Sequence, residues 1–153
     1  MKKPPYKAPD FSLPDESGKI VNLYDFSGKW LVLYFYPADD TPGCTLEACG
    51  MRDARDEIIK AGAEVVGVSK DSSKSHNAFK AKYTLNFSLL SDETLEVIKA
   101  YGCWGKKMFG VEGVNRRTFL IDQKGDVRKV YGWVKPVGHN KQVLNDLLEL
   151  QKK

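Results

Sequence analysis

Cysteines stand at positions 44, 49 and 103, and the first has a setting unlike the other two. Cys44 follows Pro37-Ala38-Asp39-Asp40-Thr41-Pro42-Gly43, a stretch too rich in Pro, Asp and Gly to be regular, and opens a segment that reads as a helix over Cys44 to Lys60. A thiol in a first helical turn faces backbone N–H groups without helical partners, and the helix dipole there favours an anion. The nucleophilic thiolate is thereby favoured over the thiol. Pro42 suits its place, because its missing N–H costs little where donors are unpaired. Thr41 either caps the helix or aims its hydroxyl at an anion beside Cys44, and both roles fit the position.

Presenting Cys44 in this way requires a strand before the loop and another after the helix. Trp30 to Tyr36 is apolar throughout, as expected of a strand buried on both faces of a sheet. Gly62 stops the helix, and Ala63 to Ser69 reads as a second buried strand, which completes a strand, helix, strand unit with parallel pairing. Before this unit, Pro4 to Asp15 is expected to be extended, and Lys19 to Leu23 reads as an edge strand. After it, helices are expected over Ser73 to Tyr83 and Glu93 to Tyr101. Strands follow over Arg117 to Asp122 and Asp126 to Trp133, joined by the turn Gln123-Lys124-Gly125, and a last amphipathic helix runs over Lys141 to Leu150. The order predicts an α/β sandwich with a central mixed sheet flanked by helices, in a thioredoxin-like arrangement and a single domain over 1–153.

Composition narrows the function. With 24 Lys and Arg against 20 Asp and Glu, the net charge is +4 and the charges are interspersed, so nucleic-acid binding is not implied. The amino end lacks the apolar stretch of a secretory signal, and the longest apolar run is far too short to cross a bilayer, so a soluble cytoplasmic protein is expected. In that reducing compartment an activated cysteine reads as catalytic or redox-active rather than structural. His76 and His139 lie among polar residues and read as surface side chains. The step from Cys44 to Cys49 does not match structural zinc spacing, and no Gly-rich phosphate loop occurs, so neither metal nor cofactor is expected.

Pro37, Thr41 and Cys44 match the Pro-x-x-x-Thr-x-x-Cys signature of peroxiredoxins. The longer stretch Thr41-Pro42-Gly43-Cys44-Thr45-Leu46-Glu47-Ala48-Cys49 resembles the bacterioferritin comigratory protein, or peroxiredoxin Q, branch. Arg116-Arg117-Thr118-Phe119-Leu120-Ile121-Asp122 is similar to that branch's segment bearing the active-site arginine, with Arg116 the first choice by position and Arg117 the second. The resemblance implies a thiol-dependent peroxidase acting on hydrogen peroxide and organic hydroperoxides. Cys44 would be the peroxidatic thiolate and Cys49 the resolving thiol. Thr41 and Arg116 would supply donors to the peroxide oxygens, Pro37 would shield the pocket, and Glu47 would orient the arginine. It further implies recycling by thioredoxin or a similar dithiol, and a monomer. Cys103 reads as a packing residue, with an alternative resolving role as the second choice.

One physical obstacle attends the resolving step. Residues five apart on an intact helix have Cα atoms roughly 8 to 9 Å apart, and a disulfide needs less than about 7 Å. The first turns of the Cys44 helix must therefore unwind before Cys49 reaches Cys44. Two other functions share parts of this pattern. A disulfide reductase would use a Cys-x-x-Cys that the chain lacks, and a redox sensor or holdase would form the same sulfenic acid without turning over.

Overall fold

The computed structural model describes residues 2–106 and 110–152. Ten strands and four α-helices are formed by these residues. β1 (Tyr6–Lys7), β2 (Ser12–Pro14) and β3 (Ile20–Asn22) lead through a 3-10 turn (Leu23–Phe26) to β4 (Trp30–Phe35), α1 (Pro42–Lys60), β5 (Ala63–Ser69) and α2 (Ser73–Tyr83). β6 (Ser88–Ser91), α3 (Glu96–Ala100), β7 (Trp104–Lys106), β8 (Glu112–Val114), β9 (Arg117–Ile121), β10 (Asp126–Tyr131) and α4 (His139–Gln151) complete the chain.

The central sheet has the order β1-β10-β9-β4-β5-β6. β4, β5 and β6 are parallel, whereas β9 runs antiparallel to both β4 and β10. The expected strand, helix, strand unit is thus β4-α1-β5. β4 shows why an unbroken apolar run was needed. Val32, Tyr34 and Tyr36 enter one core layer with Met51 and Ile58 of α1 and Val143 and Leu147 of α4, while Leu31, Leu33 and Phe35 enter the opposite layer with Ile98 of α3. The sheet therefore divides two cores. Gly67 of β5 faces Tyr34 across the ladder, and a Cβ there would come within 2.9 Å of the tyrosine Cζ, so only glycine leaves that ring its place.

Several sequence expectations shift. The Lys19 to Leu23 segment forms β3, but it pairs with β2 in a separate hairpin rather than at an edge of the central sheet. α3 is shorter than Glu93 to Tyr101 because Leu95 takes a left-handed conformation at φ 69°, and the Asp92 carboxylate accepts a 2.7 Å hydrogen bond from the Ile98 N–H. β10 ends at Tyr131 rather than Trp133, and α4 begins at His139 rather than Lys141. β6 and the β7–β8 hairpin had no reading in the sequence. Among the described residues, no helix is long and apolar enough to cross a membrane.

Candidate active site

The carboxyl end of β4 delivers the chain into the loop Pro37 to Thr41, and α1 starts immediately after it. Thr41 occupies the cap position with extended backbone, Pro42 opens the helix, and the first helical hydrogen bond runs from the Thr45 N–H to the Thr41 carbonyl at 2.8 Å. The N–H groups of Gly43 and Cys44 precede that bond, so they are the donors a first turn leaves unspent. Cys44 is buried. Of the two roles open to Thr41, side-chain capping is not the one taken: its hydroxyl donates to the Ala38 carbonyl at 3.1 Å. That bond uses the one hydroxyl hydrogen and leaves the oxygen free to accept.

Arg116 lies just before β9, the strand paired with β4, so strand pairing carries it across to the start of α1. Its Nη2 donates to Cys44 Sγ at 3.3 Å, and its Nη1 donates to Glu47 Oε1 at 2.7 Å. A guanidinium beside the sulfur and a helix N-terminus beneath it both stabilise negative charge there. The neighbouring Arg117 points elsewhere, with its Nη1 donating to the Gly102 carbonyl. Successive side chains of an extended chain alternate in direction, and this separates the two arginines.

Glu47, one turn beyond Cys44, is buried, and its partner Arg116 is partly exposed. Burial pushes its carboxyl up to about 7, against the opposing pull of the Arg116 charge and hydrogen bond. Its second oxygen, Oε2, and the buried Tyr34 hydroxyl have no hydrogen-bond partner. The Tyr34 hydroxyl is held well above the usual phenol range, first by burial and then by the negative charges of Glu47 and Cys44.

Gly43 is a site residue that the sequence reading did not single out. A Cβ on it would stand 3.1 Å from Arg116 Nη2 and 3.6 Å from Pro136 Cγ. Glycine therefore leaves room for the guanidinium to reach the sulfur.

The remaining cysteines separate cleanly. All three are free. Cys49 is partly exposed on the same unbroken α1, so the geometric obstacle to a Cys44–Cys49 bond stands in this state. Cys103 is fully buried in the layer across the sheet from Cys44. Burial pushes its thiol up to about 12, with the Arg117 charge pulling against it, so it is a poor nucleophile near neutral pH.

Both histidines contradict the surface reading. His76 and His139 are buried, and polar residues near them in sequence serve the buried networks: Ser75 bonds the Asp39 carboxylate that meets the His76 ring, and Gln142 meets the His139 ring. His139 Nε2 meets the Thr118 hydroxyl at 2.8 Å and its Nδ1 meets Gln142 Oε1 at 3.2 Å, which assigns the proton to Nδ1 in a neutral ring. Burial pulls its value below the ordinary histidine range, and the Arg116 charge adds to this.

Residues 4–130 match the AhpC/TSA family. The chain is 49% identical over 144 residues to a putative peroxiredoxin bcp of Coxiella burnetii, covering 92% of this chain and 95% of that one. It is 47% identical over 145 residues to peroxiredoxin Bcp of Escherichia coli, covering 93% of each. Among solved structures it is similar, at 39% identity and a TM-score of 0.87, to the Xanthomonas campestris bacterioferritin comigratory protein, studied for alkyl peroxide reduction activity in trapped intermediate/ligand complexes. That likeness covers 91% of this chain and 90% of that one.

Proposed function

The chain belongs to the AhpC/TSA family and is a peroxiredoxin, a thiol-dependent peroxidase, and on that premise we propose that Cys44 is its peroxidatic nucleophile and Cys49 its resolving thiol. The observation that carries this reading is the contact of Arg116 Nη2 with Cys44 Sγ at 3.3 Å, made where α1 leaves its first N–H groups unspent.

The Cys44 sulfur attacks one oxygen of the hydroperoxide in line with the O–O bond. An S–O bond forms, the O–O bond breaks, and the leaving oxygen takes a proton to depart as water or an alcohol. Arg116 and the first-turn N–H groups are the donors available to the charge that develops on the oxygens, while the Thr41 hydroxyl, whose hydrogen goes to Ala38, can accept the hydroperoxide proton. Pro37, half-buried at the mouth of the loop, is the shield of the pocket in this reading. Glu47 holds the guanidinium at the angle that serves the sulfur. The product at Cys44 is a sulfenic acid. Attack by the Cys49 sulfur forms the disulfide and releases water, and a dithiol then returns both thiols by accepting the oxidation itself. Thioredoxin or a similar dithiol is the reductant in this reading, which also takes the protein as a cytoplasmic monomer. Organic hydroperoxides join hydrogen peroxide as substrates, by analogy with the alkyl peroxide activity of the Xanthomonas relative.

Peroxide consumption with a thioredoxin system, measured for wild type, Cys44→Ser, Cys49→Ser and Cys103→Ser, tests the assignment. Turnover is expected to vanish in the first variant, to collapse in the second and to persist in the third. Retained turnover in Cys49→Ser with loss in Cys103→Ser would reassign the resolving thiol, and undiminished activity in Cys44→Ser would overturn the mechanism. Stoichiometric oxidation of wild type without turnover would favour a sensor.

A further inference from the structure

α2 grips the loop between β4 and α1 with several side chains. Lys82 Nζ and the Tyr83 hydroxyl each donate to the Asp40 carboxylate at 2.6 Å, holding a residue whose φ is +55°. One turn of loop earlier, Asp39 Oδ2 receives the Ser75 hydroxyl at 2.7 Å and His76 Nδ1 at 2.7 Å, while Oδ1 receives the Tyr36 hydroxyl at 2.6 Å. The Asp39 N–H in turn donates to Asp71 Oδ2 at 2.8 Å.

The protons of the His76 ring follow from its partners. Nε2 lies 2.8 Å from the Leu90 carbonyl oxygen, which only accepts, so Nε2 carries a hydrogen. Burial alone would raise the Asp39 carboxyl. The hydrogen bonds from His76 and Tyr36, the His76 charge and the Ser75 bond outweigh it and hold the group below the usual carboxylate range. The ring is fully enclosed, with Nδ1 on the Asp39 carboxylate and Nε2 on the Leu90 carbonyl. Asp39, Asp71 and His76 offer atoms within 4.8 Å of one another, as a cation site would. Both ring nitrogens are already engaged, however, so the cluster is a brace and not a ligand set.

We propose that His76 is a positioning residue for peroxide reduction, whose buried ring holds Asp39 and so sets where the Thr41 hydroxyl meets the hydroperoxide. The proposal rests on the peroxidase reading of Cys44. It has a selective consequence, because Arg116, held by Glu47 of α1, reaches the sulfur from just before β9 without passing through His76. Loosening the brace moves the Thr41 side of the site and leaves the guanidinium beside the sulfur in place.

Two reactions of the reduced full-length protein separate these sides. Oxidation by hydrogen peroxide, followed by rapid mixing and tryptophan fluorescence, needs the loop. Alkylation of Cys44 by iodoacetamide, followed by mass spectrometry, needs only the sulfur. His76→Gln places an amide toward Leu90 and none toward Asp39, and its peroxide rate is expected to fall roughly 10- to 100-fold, the scale of a small misplacement of reacting groups, with the alkylation rate unchanged. His76→Asn places an amide nitrogen near the Nδ1 position and is expected to recover part of the peroxide rate. Asp39→Asn breaks the same contact from the loop side and carries the test if the His76 variants do not fold. Peroxide and alkylation rates that fall together, or a His76→Gln as fast as a reactive wild type, would overturn the role of His76 alone. A wild type that peroxide does not oxidise would overturn the peroxidase reading beneath it.

Discussion

Glu47 is pulled in two directions, and its titration separates them. Its carboxyl is buried and raised from 4.5 to about 7, so the folded protein retains a proton that the unfolded chain releases. A raised folded value makes the Glu47 contribution to stability complete below the ordinary glutamate range and lost as pH climbs through about 7. The loss is on the order of 3 kcal/mol. Activity has the opposite slope, because only the ionised carboxylate makes a charge-assisted bond to Arg116. The peroxide rate of wild type is expected to rise through pH 7, the value at which Glu47 is half ionised. Glu47→Gln, neutral throughout, is expected to lose that rise and to melt at a temperature less sensitive to pH. Rates and thermal melts of both proteins over one pH series check this, and an identical rise in the variant would assign the titration to another group.

At the scale of elements, resolution by Cys49 as proposed requires α1 to be both a platform and a part that comes undone. Its amino end carries Cys44 and Cys49, and its middle is pinned. Met51 is fully buried, Arg52 Nη1 donates to the Tyr83 carbonyl at 2.7 Å, and the Arg52 carbonyl receives Asn86 Nδ2 at 3.3 Å. Unwinding that brings Cys49 to Cys44 is therefore expected to stop near Arg52. Hydrogen exchange should show faster amides over residues 44 to 50 in the disulfide form and unchanged protection from Arg55 onward, whereas equal protection of the whole helix in both forms would sink the idea. The sequence displayed much of this element plainly. Pro42, Gly62 and the apolar strands on either side marked the start of α1, its stop and its parallel partners. The same sequence concealed β6 and the β7–β8 hairpin, because strands of three or four residues such as Glu112–Val114 are too short for alternation to register. It also concealed the buried histidines. His76 is flanked by Ser75 and Asn77, which look like surface residues until the fold shows Ser75 bonded to the same Asp39 carboxylate. Thr41, Cys44, Glu47 and Arg116 were legible as types in a pattern, but the room that Gly43 leaves for the guanidinium belongs to three dimensions.

Across the whole molecule, the thioredoxin-like sandwich joins its last helix to the sheet through a neutral histidine. His139 at the start of α4 bonds Thr118 of β9 and packs edge-on against Tyr131 of β10, with ring centroids 5.0 Å apart. Its folded value lies below the ordinary 6.5, so its contribution to stability is present above that value and is lost as pH falls through the folded one. Chemical denaturation of wild type is expected to show a midpoint that drops as pH falls below 6.5, and His139→Gln is expected to flatten that drop while lowering the midpoint at neutral pH. A variant with the same acid slope as wild type would place the sensitivity elsewhere. The sheet between Cys44 and Cys103 has a consequence of another kind. On the proposed mechanism the helix that unwinds belongs to the layer on the α1 side, while the other layer, holding a thiol that burial makes inert, serves as a keel. In that reading wear is confined to the half of the protein that can refold against an undamaged one, and that division suits a catalyst whose substrate is also a corrosive.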